Sequence, residues 1–222
     1  PVVVGTDHAQ IGFIGKYDTT TLQLVDTCHV GFQPDELEVV GNKLYVANSG
    51  GYMTPNYEKS VSVIDLSTFK ETHRIDVTCN LHRARTDAYG QLWVSSRGDY
   101  YGQPSKLYCI DTHTDQVTDS VNIAVSGLWI DNDSLYAYGT EFSYVTMESV
   151  QSYSLVNVRT HEVVNSNFLG SLSDSITMPY GIIVHPVTKD IYITDAKDYV
   201  TPGRLWCIGQ DGYAKWNVRT GD

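Results

Sequence analysis

One short phrase recurs five times along the chain: a strand, an Asp or its stand-in, a tight turn, and a second strand. Lys16-Tyr17-Asp18-Thr19-Thr20 opens the series, followed by Val63-Ile64-Asp65-Leu66-Ser67 and Cys109-Ile110-Asp111-Thr112-His113. Leu155-Val156-Asn157-Val158-Arg159 and Cys207-Ile208-Gly209-Gln210-Asp211 complete it. The steps are 47 residues (18 to 65), 46 (65 to 111), 46 (111 to 157) and 52 (157 to 209). A near-constant interval of this length means one supersecondary unit copied along the chain, each copy burying its faces against its neighbours.

Between these phrases runs a second kind of hairpin, centred on Leu-aromatic or Ile-aromatic pairs. Its copies are Leu37–Val40 with Leu44-Tyr45-Val46, Ala84–Asp87 with Leu92-Trp93-Val94, Leu128-Trp129-Ile130 with Leu135-Tyr136-Ala137, and Ile182–Val184 with Ile191-Tyr192-Ile193. Gly41-Asn42 and Asn132-Asp133 supply the positive φ values that tight hairpins need. Helical periodicity is almost absent, and Gly, Ser, Thr, Asn and Asp punctuate the chain every ~8–12 residues, the mark of many short antiparallel strands. Two hairpins make one four-stranded blade, so the expected fold is an all-β propeller. The spacing predicts a partial blade over 1–30 and four whole blades near 34–77, 81–123, 124–169 and 178–218, within a single domain spanning 1–222. Nearly five blades are visible. They read either as a compact five-bladed ring or as part of a longer, seven-bladed one. Within the repeated phrase, Asp or Asn is expected to close the turn by accepting backbone N–H bonds two or three residues on.

The net charge of −11 with only 15 Lys plus Arg makes nucleic acid a poor partner. No apolar run approaches the ~20 residues of a membrane-spanning helix. Pro1 opens the sequence without Met or a charged-then-apolar leader, so any targeting segment is expected to be removed or to lie outside these residues. Cys109 and Cys207 share a repeat position inside strands, while Cys28 and Cys79 follow the outermost strands of successive repeats and can pair only if their Cα atoms come within ~4.4–6.8 Å.

Tyr45-Val46-Ala47-Asn48-Ser49-Gly50 followed by Ser60-Val61-Ser62-Val63-Ile64-Asp65 resembles the YVTN-type β-propeller repeat. Tyr192-Ile193-Thr194-Asp195 repeats its core phrase, and Leu92-Trp93-Val94-Ser95-Ser96 and Leu135-Tyr136-Ala137-Tyr138-Gly139 are degenerate copies. The Tyr-rich insertions and acidic balance also resemble seven-bladed surface lipoprotein propellers of gut Bacteroidetes, some of which capture corrinoids such as vitamin B12. That resemblance implies an extracytoplasmic setting, at the cell surface or in the periplasm, and an outer-membrane transporter as partner.

In a propeller the loops from second to third strand, and those between blades, gather at one face. Here the former are the long ones: Asn48–Lys59, Ser96–Ser105, Thr140–Ser149 and Ala196–Gly203. They carry Tyr52, Tyr57, Arg97, Tyr100, Tyr101, Phe142, Tyr144 and Tyr199, and the inter-blade loops add Phe32, His82, Arg83 and Tyr180. Rings with polar tips and a few Arg can cover a macrocycle or stack on sugars, so the expected function is non-catalytic capture of a small ligand, a corrinoid first and a glycan second. No nucleophile elbow, phosphate loop, dinucleotide fingerprint or paired-His metal motif appears. No cofactor is expected, but Ca²⁺ is kept as an alternative. A Ca²⁺-dependent lactonase or esterase would gather oxygen ligands from several loops, with Asn48, Glu141 and Asp195 as candidates. A protein-binding scaffold is the third reading.

Overall fold

The computed structural model describes residues 2–3, 11–143 and 147–221, the side chains of 2, 3, 142, 143, 148 and 149 excepted. By its internal contacts the chain divides into two compact units, Pro1–Asn122 and Ile123–Asp222. Every named strand pairs antiparallel with its sequence neighbour inside an up-and-down sheet.

Unit 1 holds three sheets. The first has three strands, β1 (Val2–Val3), β2 (Phe13–Tyr17) and β3 (Leu24–His29). The second runs β4 (Pro34–Val40), β5 (Lys43–Asn48), β6 (Ser60–Asp65) and β7 (Lys70–Asp76). The third runs β8 (Leu81–Thr86), β9 (Gln91–Ser96), β10 (Lys106–Asp111) and β11 (Gln116–Val121). Unit 2 holds two. The first is β12 (Gly127–Asp131), β13 (Ser134–Ser143), β14 (Glu148–Asn157) and β15 (Val163–Asn165), followed by a 3₁₀ helix, Gly170–Ser175. The second is β16 (Pro179–Val184), β17 (Ile191–Asp195), β18 (Arg204–Ile208) and β19 (Ala214–Arg219).

The repeated phrase is the device that turns the third strand into the fourth. Asp18 Oδ1 accepts the N–H groups of Thr20 and Thr21, and Asp65 Oδ1 those of Ser67 and Thr68. Asp111 does the same for His113 and Thr114, and Asn157 for Arg159 and Thr160. The residue four places on adopts positive φ in each copy (Leu22, Phe69, Asp115 and His161) and returns its N–H to the first residue's carbonyl. A register shift follows every time, between Lys16 and Tyr17, Val63 and Ile64, Cys109 and Ile110, and Leu155 and Val156. In the fifth copy Gly209 cannot cap. The acceptor moves to Asp211, which takes Tyr213 N–H, and Gly212 carries the positive φ.

Second and third strands are buried on both faces, so they read as continuous apolar runs rather than strict alternations. Along β5 the alternating residues part company. Tyr45 and Ala47 join Val61, Val63, Leu81, Leu92 and Val94 in one core, while Leu44 and Val46 join Ile14, Cys28, Val30, Ile64 and Phe69 in another. In unit 2 the core comprises Tyr138, Tyr153, Phe168, Leu169, Ile182, Ile191, Ile193 and Trp206 among others, with Phe168 meeting Tyr136 edge-on at 5.3 Å. At ~25 cal/mol per Å² of apolar area removed from water, these clusters are the main favourable contribution to folding.

Of the two states left open for Cys28 and Cys79, the structure has the unpaired one; both thiols are buried and unbridged, and the Cys79 thiol donates to Gln103 Oε1 at 2.9 Å. Two expectations change. The segment 140–149 is not a long loop. β13 and β14 continue pairing through Thr140↔Gln151, Glu141↔Val150, Phe142↔Ser149 and Ser143↔Glu148, so the insertion lengthens the hairpin. His82, Arg83 and Tyr180 lie in inner strands, not inter-blade loops, because those strands begin earlier through a bulge. The shift falls between Pro34 and Glu36, Leu81 and Ala84, and Pro179 and Gly181.

Candidate functional site

A bulge leaves residues out of the ladder and re-aims their side chains. In β4 the skipped residue is Asp35, in β8 it is His82 with Arg83, and in β16 it is Tyr180. The residue leading into each of these strands is equivalent too. Gln33 and Asn80 both have positive φ, and the carbonyls of Gln33, Asn80 and Met178 accept the N–H groups of Ser49, Arg97 and Ala196 respectively. The same backbone slots therefore recur in three sheets with different side chains in them.

In unit 1 these slots open onto a cavity of about 410 Å³, lined by Gln33, Pro34, Asp35, Ser49, Gly51, Tyr52, Asn80, Arg97 and Tyr100. Beside it the buried His82 links the two charged residues. Its Nδ1 lies 2.7 Å from Asp35 Oδ2, and its Nε2 lies 2.9 Å from Arg97 Nη2. Arg97 has no proton-free nitrogen and must donate, so His82 is neutral: it accepts at Nε2 and donates from Nδ1 to Asp35. Burial lowers the His82 pKa, and the neighbouring Arg97 adds to that effect while Asp35 opposes it. Burial works against the Asp35 carboxylate, but the His82 hydrogen bond and the charges of Arg97 and Arg83 outweigh it, leaving its pKa below the usual value. Arg97 Nη1 also lies 3.6 Å from Asp35 Oδ2. The positive and negative charges at this wall are matched.

Two atoms of the wall stand out by their lack of a partner. Gln33 is 6% exposed and Asn80 1%, and neither Gln33 Nε2 nor Asn80 Oδ1 has a hydrogen-bond partner. Each buried polar atom left unpaired costs about 1–3 kcal/mol. The other end of each amide is held: Gln33 Oε1 accepts Tyr52 N–H at 2.7 Å, and Asn80 Nδ2 donates to the Gly98 carbonyl at 3.0 Å.

The loop over this cavity is shaped by Asp99, whose Oδ1 accepts the N–H groups of Tyr101, Gly102 and Gln103. The loop of unit 2 uses the same device, with Asp198 accepting Val200 and Thr201. Tyr100 and Tyr199, each directly after the capping Asp, both sit at positive φ and are both exposed. Tyr199 meets Tyr180 edge-on at 5.9 Å.

Of the sequence candidates, Tyr52, Arg97 and Tyr100 come together at the cavity. Tyr101, 86% exposed, extends from the same loop without lining it, and Phe32 is half-buried with its N–H on Glu58. Tyr57 is buried, its hydroxyl accepting from Thr54 within the same loop. Arg83 faces Glu36 at 3.8 Å. Tyr180 and Tyr199 pair with each other in unit 2. Tyr144 lies outside the described residues, and Phe142 is described by its backbone alone.

Asn48, one of the alternative calcium ligands, is fully buried and donates to Ser60 and Ser62. The Asp195 carboxylate accepts Met178 N–H and ion-pairs with Lys197 at 2.5 Å, and Glu141 is exposed. Among the described residues no group of three or more His, Cys, Asp or Glu could hold a metal ion. Sequence reasoning missed Gln33, Asp35, Asn80, Ser49 and Gly51 as cavity residues. The available signal was positional, since Gln33 and Asn80 occupy the slot that Met178 fills in the last repeat.

A second cavity, about 480 Å³ in unit 2, lies among Gln151, Tyr153, Asn167, Ser173, Asp174 and Thr177. Its amides are engaged internally: Gln151 donates to the Thr177 carbonyl, and Asn167 to the Gly170 carbonyl and Ser173. No described helix is long and apolar enough to cross a membrane.

No family model matches the chain, and no curated protein matches it. Solved structures do. Hydrazine synthase from Kuenenia stuttgartiensis superposes with a TM-score of 0.69 at 18% identity, covering 91% of this chain and 58% of that one. A chain in the crystal structure of the mitotic checkpoint complex superposes with a TM-score of 0.66 at 14% identity, covering 95% of this chain and 59% of that one. The chain thus spans under three-fifths of the length of either structure. Likeness at such identity carries fold and no activity. The chain is an all-β protein of the β-propeller type, built from four-stranded antiparallel blades.

Proposed function

We propose that this protein is a non-catalytic binding protein that captures a small ligand at the loop end of unit 1. The observation that carries the reading is the cavity itself, where Tyr52, Tyr100 and Arg97 meet two buried amide atoms without partners. A few convergent polar groups set among rings in a preformed concavity are the usual make-up of a ligand site. At about 410 Å³ the cavity is at the small end of the roughly 300–1,000 Å³ range of such sites. A glycan unit suits that volume, while a corrinoid would rest across the mouth on the exposed rings. The extracytoplasmic setting and hand-over to an outer-membrane transporter, expected from the resemblance, extend this proposal, and co-purification from outer-membrane extract tests them.

Calorimetry with a glycan panel and with cyanocobalamin tests the core of the reading. Tyr52 and Tyr100 are exposed, so replacing both with Ala leaves the fold intact. Each ring is worth about 0.5–1.5 kcal/mol in a stacked contact, so the double variant should lose roughly tenfold or more in affinity. Unchanged affinity for every ligand that binds would sink the assignment.

A further inference from the structure

We infer that the unit 1 cavity recognises a neutral acetamido sugar through its amide group; this rests on the reading of the cavity as a ligand site. The argument begins with the two unpartnered atoms. Tyr52 N–H fixes which end of the Gln33 amide is the oxygen, so the free end is an N–H donor. The Gly98 carbonyl fixes which end of the Asn80 amide is the nitrogen, so the free end is an acceptor. The wall therefore offers one donor and one acceptor, both on nine-tenths-buried side chains.

A secondary amide, with its C=O beside an N–H, complements that pair with two separate atoms, where a hydroxyl must serve both from one oxygen. A carboxylate would match Gln33 Nε2 but repel Asn80 Oδ1, and an ammonium would do the reverse. The charged residues give no opening for an ion either, because Asp35 and Arg97 are matched to each other and bridged by His82. Tyr52 and Tyr100 supply rings for the C–H face of a pyranose, and Pro34 supplies an apolar surface for the acetyl methyl. Ser49 does not compete for the amide, since its hydroxyl donates to the Gln33 carbonyl. In unit 2 the equivalent slot holds Met178, which can make neither bond.

The test is calorimetry on the full chain with N-acetylglucosamine, its β-1,4 dimer, glucose, glucosamine and cyanocobalamin. The acetamido sugars should bind about tenfold or more tighter than glucose or glucosamine, the margin of one well-made hydrogen-bond pair. Gln33→Glu keeps the oxygen that accepts Tyr52 N–H and turns the free donor into an acceptor. It should cost about tenfold in N-acetylglucosamine affinity and erase the preference over glucose, with a lowered melting temperature because the new carboxylate is buried. Should that variant fold poorly, Gly51→Ala serves instead. Its new methyl would sit 3.6 Å from Asn80 Oδ1, in ordinary contact, and should weaken the acetamido sugars more than glucose. Equal binding of N-acetylglucosamine and glucose, or a folded Gln33→Glu protein with full affinity, overturns the inference. The ligand-site reading survives that result if the Tyr52 and Tyr100 variants still weaken whatever binds. If no sugar and no cobalamin binds, both fall.

Discussion

The loop at 97–105 in unit 1 and the loop at 196–203 in unit 2 are built the same way and do different things. Each is shaped by an Asp that caps two or three backbone N–H groups, followed by a Tyr at positive φ. Each begins with an N–H donated to the carbonyl of the residue before the inner strand. The side chains in the shared slots then diverge. Unit 1 has Asn80, His82 and Arg97, where unit 2 has Met178, Tyr180 and Ala196. In unit 1 the outcome is a cavity with matched charges and two unpartnered amide atoms. In unit 2 it is a pair of exposed rings in edge contact. Loop construction and loop chemistry are thus separable: turn residues set the path, and a handful of slots decide whether it holds a site.

The largest expected effect comes from the residue after Arg97. Gly98 has φ of +68°, and a Cβ there would lie 2.0 Å from the Gln103 carbonyl oxygen. Gly98→Ala should cost about 2–3 kcal/mol in denaturant unfolding, because the clash is with backbone that cannot turn aside. The equivalent Lys197 also has positive φ yet carries a side chain, which pairs with the buried Asp195, so Lys197→Arg, which keeps that charge, should change stability by less than about 1 kcal/mol. A loss as small at Gly98 as at Lys197 would mean that the loop at 97–105 accepts a Cβ as the loop at 196–203 does.

Exchanging a slot comes next. Asn80→Met installs the unit 2 residue in unit 1 and should abolish measurable ligand binding. Stability should fall by about 2 kcal/mol, since the bond to the Gly98 carbonyl is lost and Met is strained at the positive φ that Asn80 tolerates, while an unpartnered oxygen is removed as well. Retained binding would show that the amide slot is not what distinguishes the two loops.

A smaller effect is expected from pH. Both His82 and Asp35 have folded-state pKa values lowered from their ordinary ones. Groups of that kind contribute stability above their unfolded pKa and lose it as pH falls, because the unfolded chain takes up protons first. For His82 the loss begins as pH drops below its ordinary value of 6.5. A proton on Nε2 would also break the bond from Arg97. Ligand affinity should therefore be several-fold weaker at pH 5 than at pH 7.5. His82→Gln should flatten that profile, and a flat wild-type profile would contradict the neutral-histidine bridge.

The smallest effect belongs to the unit 2 rings. Tyr199→Ala should cost no more than about 0.5 kcal/mol, since both partners of the Tyr180–Tyr199 contact are exposed, and it should leave ligand affinity as it was. A clear loss of affinity would return Tyr199 to the ligand-binding residues.

The Asp-led phrase was legible as a turn because its chemistry is local: the oxygen and the N–H groups it accepts are two or three residues apart. Tyr52, Arg97 and Tyr100 were legible as candidates because long polar-aromatic loops on a rigid sheet are where sites form. The bulges at Asp35, His82 and Tyr180 were not, because a skipped residue in a ladder depends on the partner strand. Nor was the continuation of β13 into β14, since Thr140–Ser149 contains turn-forming and strand-forming residues alike, and only pairing decides between them. Tyr57 reads like every other loop tyrosine in sequence, yet folds under its own loop.

By itself the sequence determined the repeat, the four-stranded blades and the turns that close them, because period and turn chemistry act over a few residues. Only the tertiary structure decided that Gln33 and Asn80, far apart in the chain, would line one cavity with a donor and an acceptor unspent. That outcome depends on which partners each amide finds after the sheets have packed. No spacing along the chain encodes what is left over once packing has used the rest.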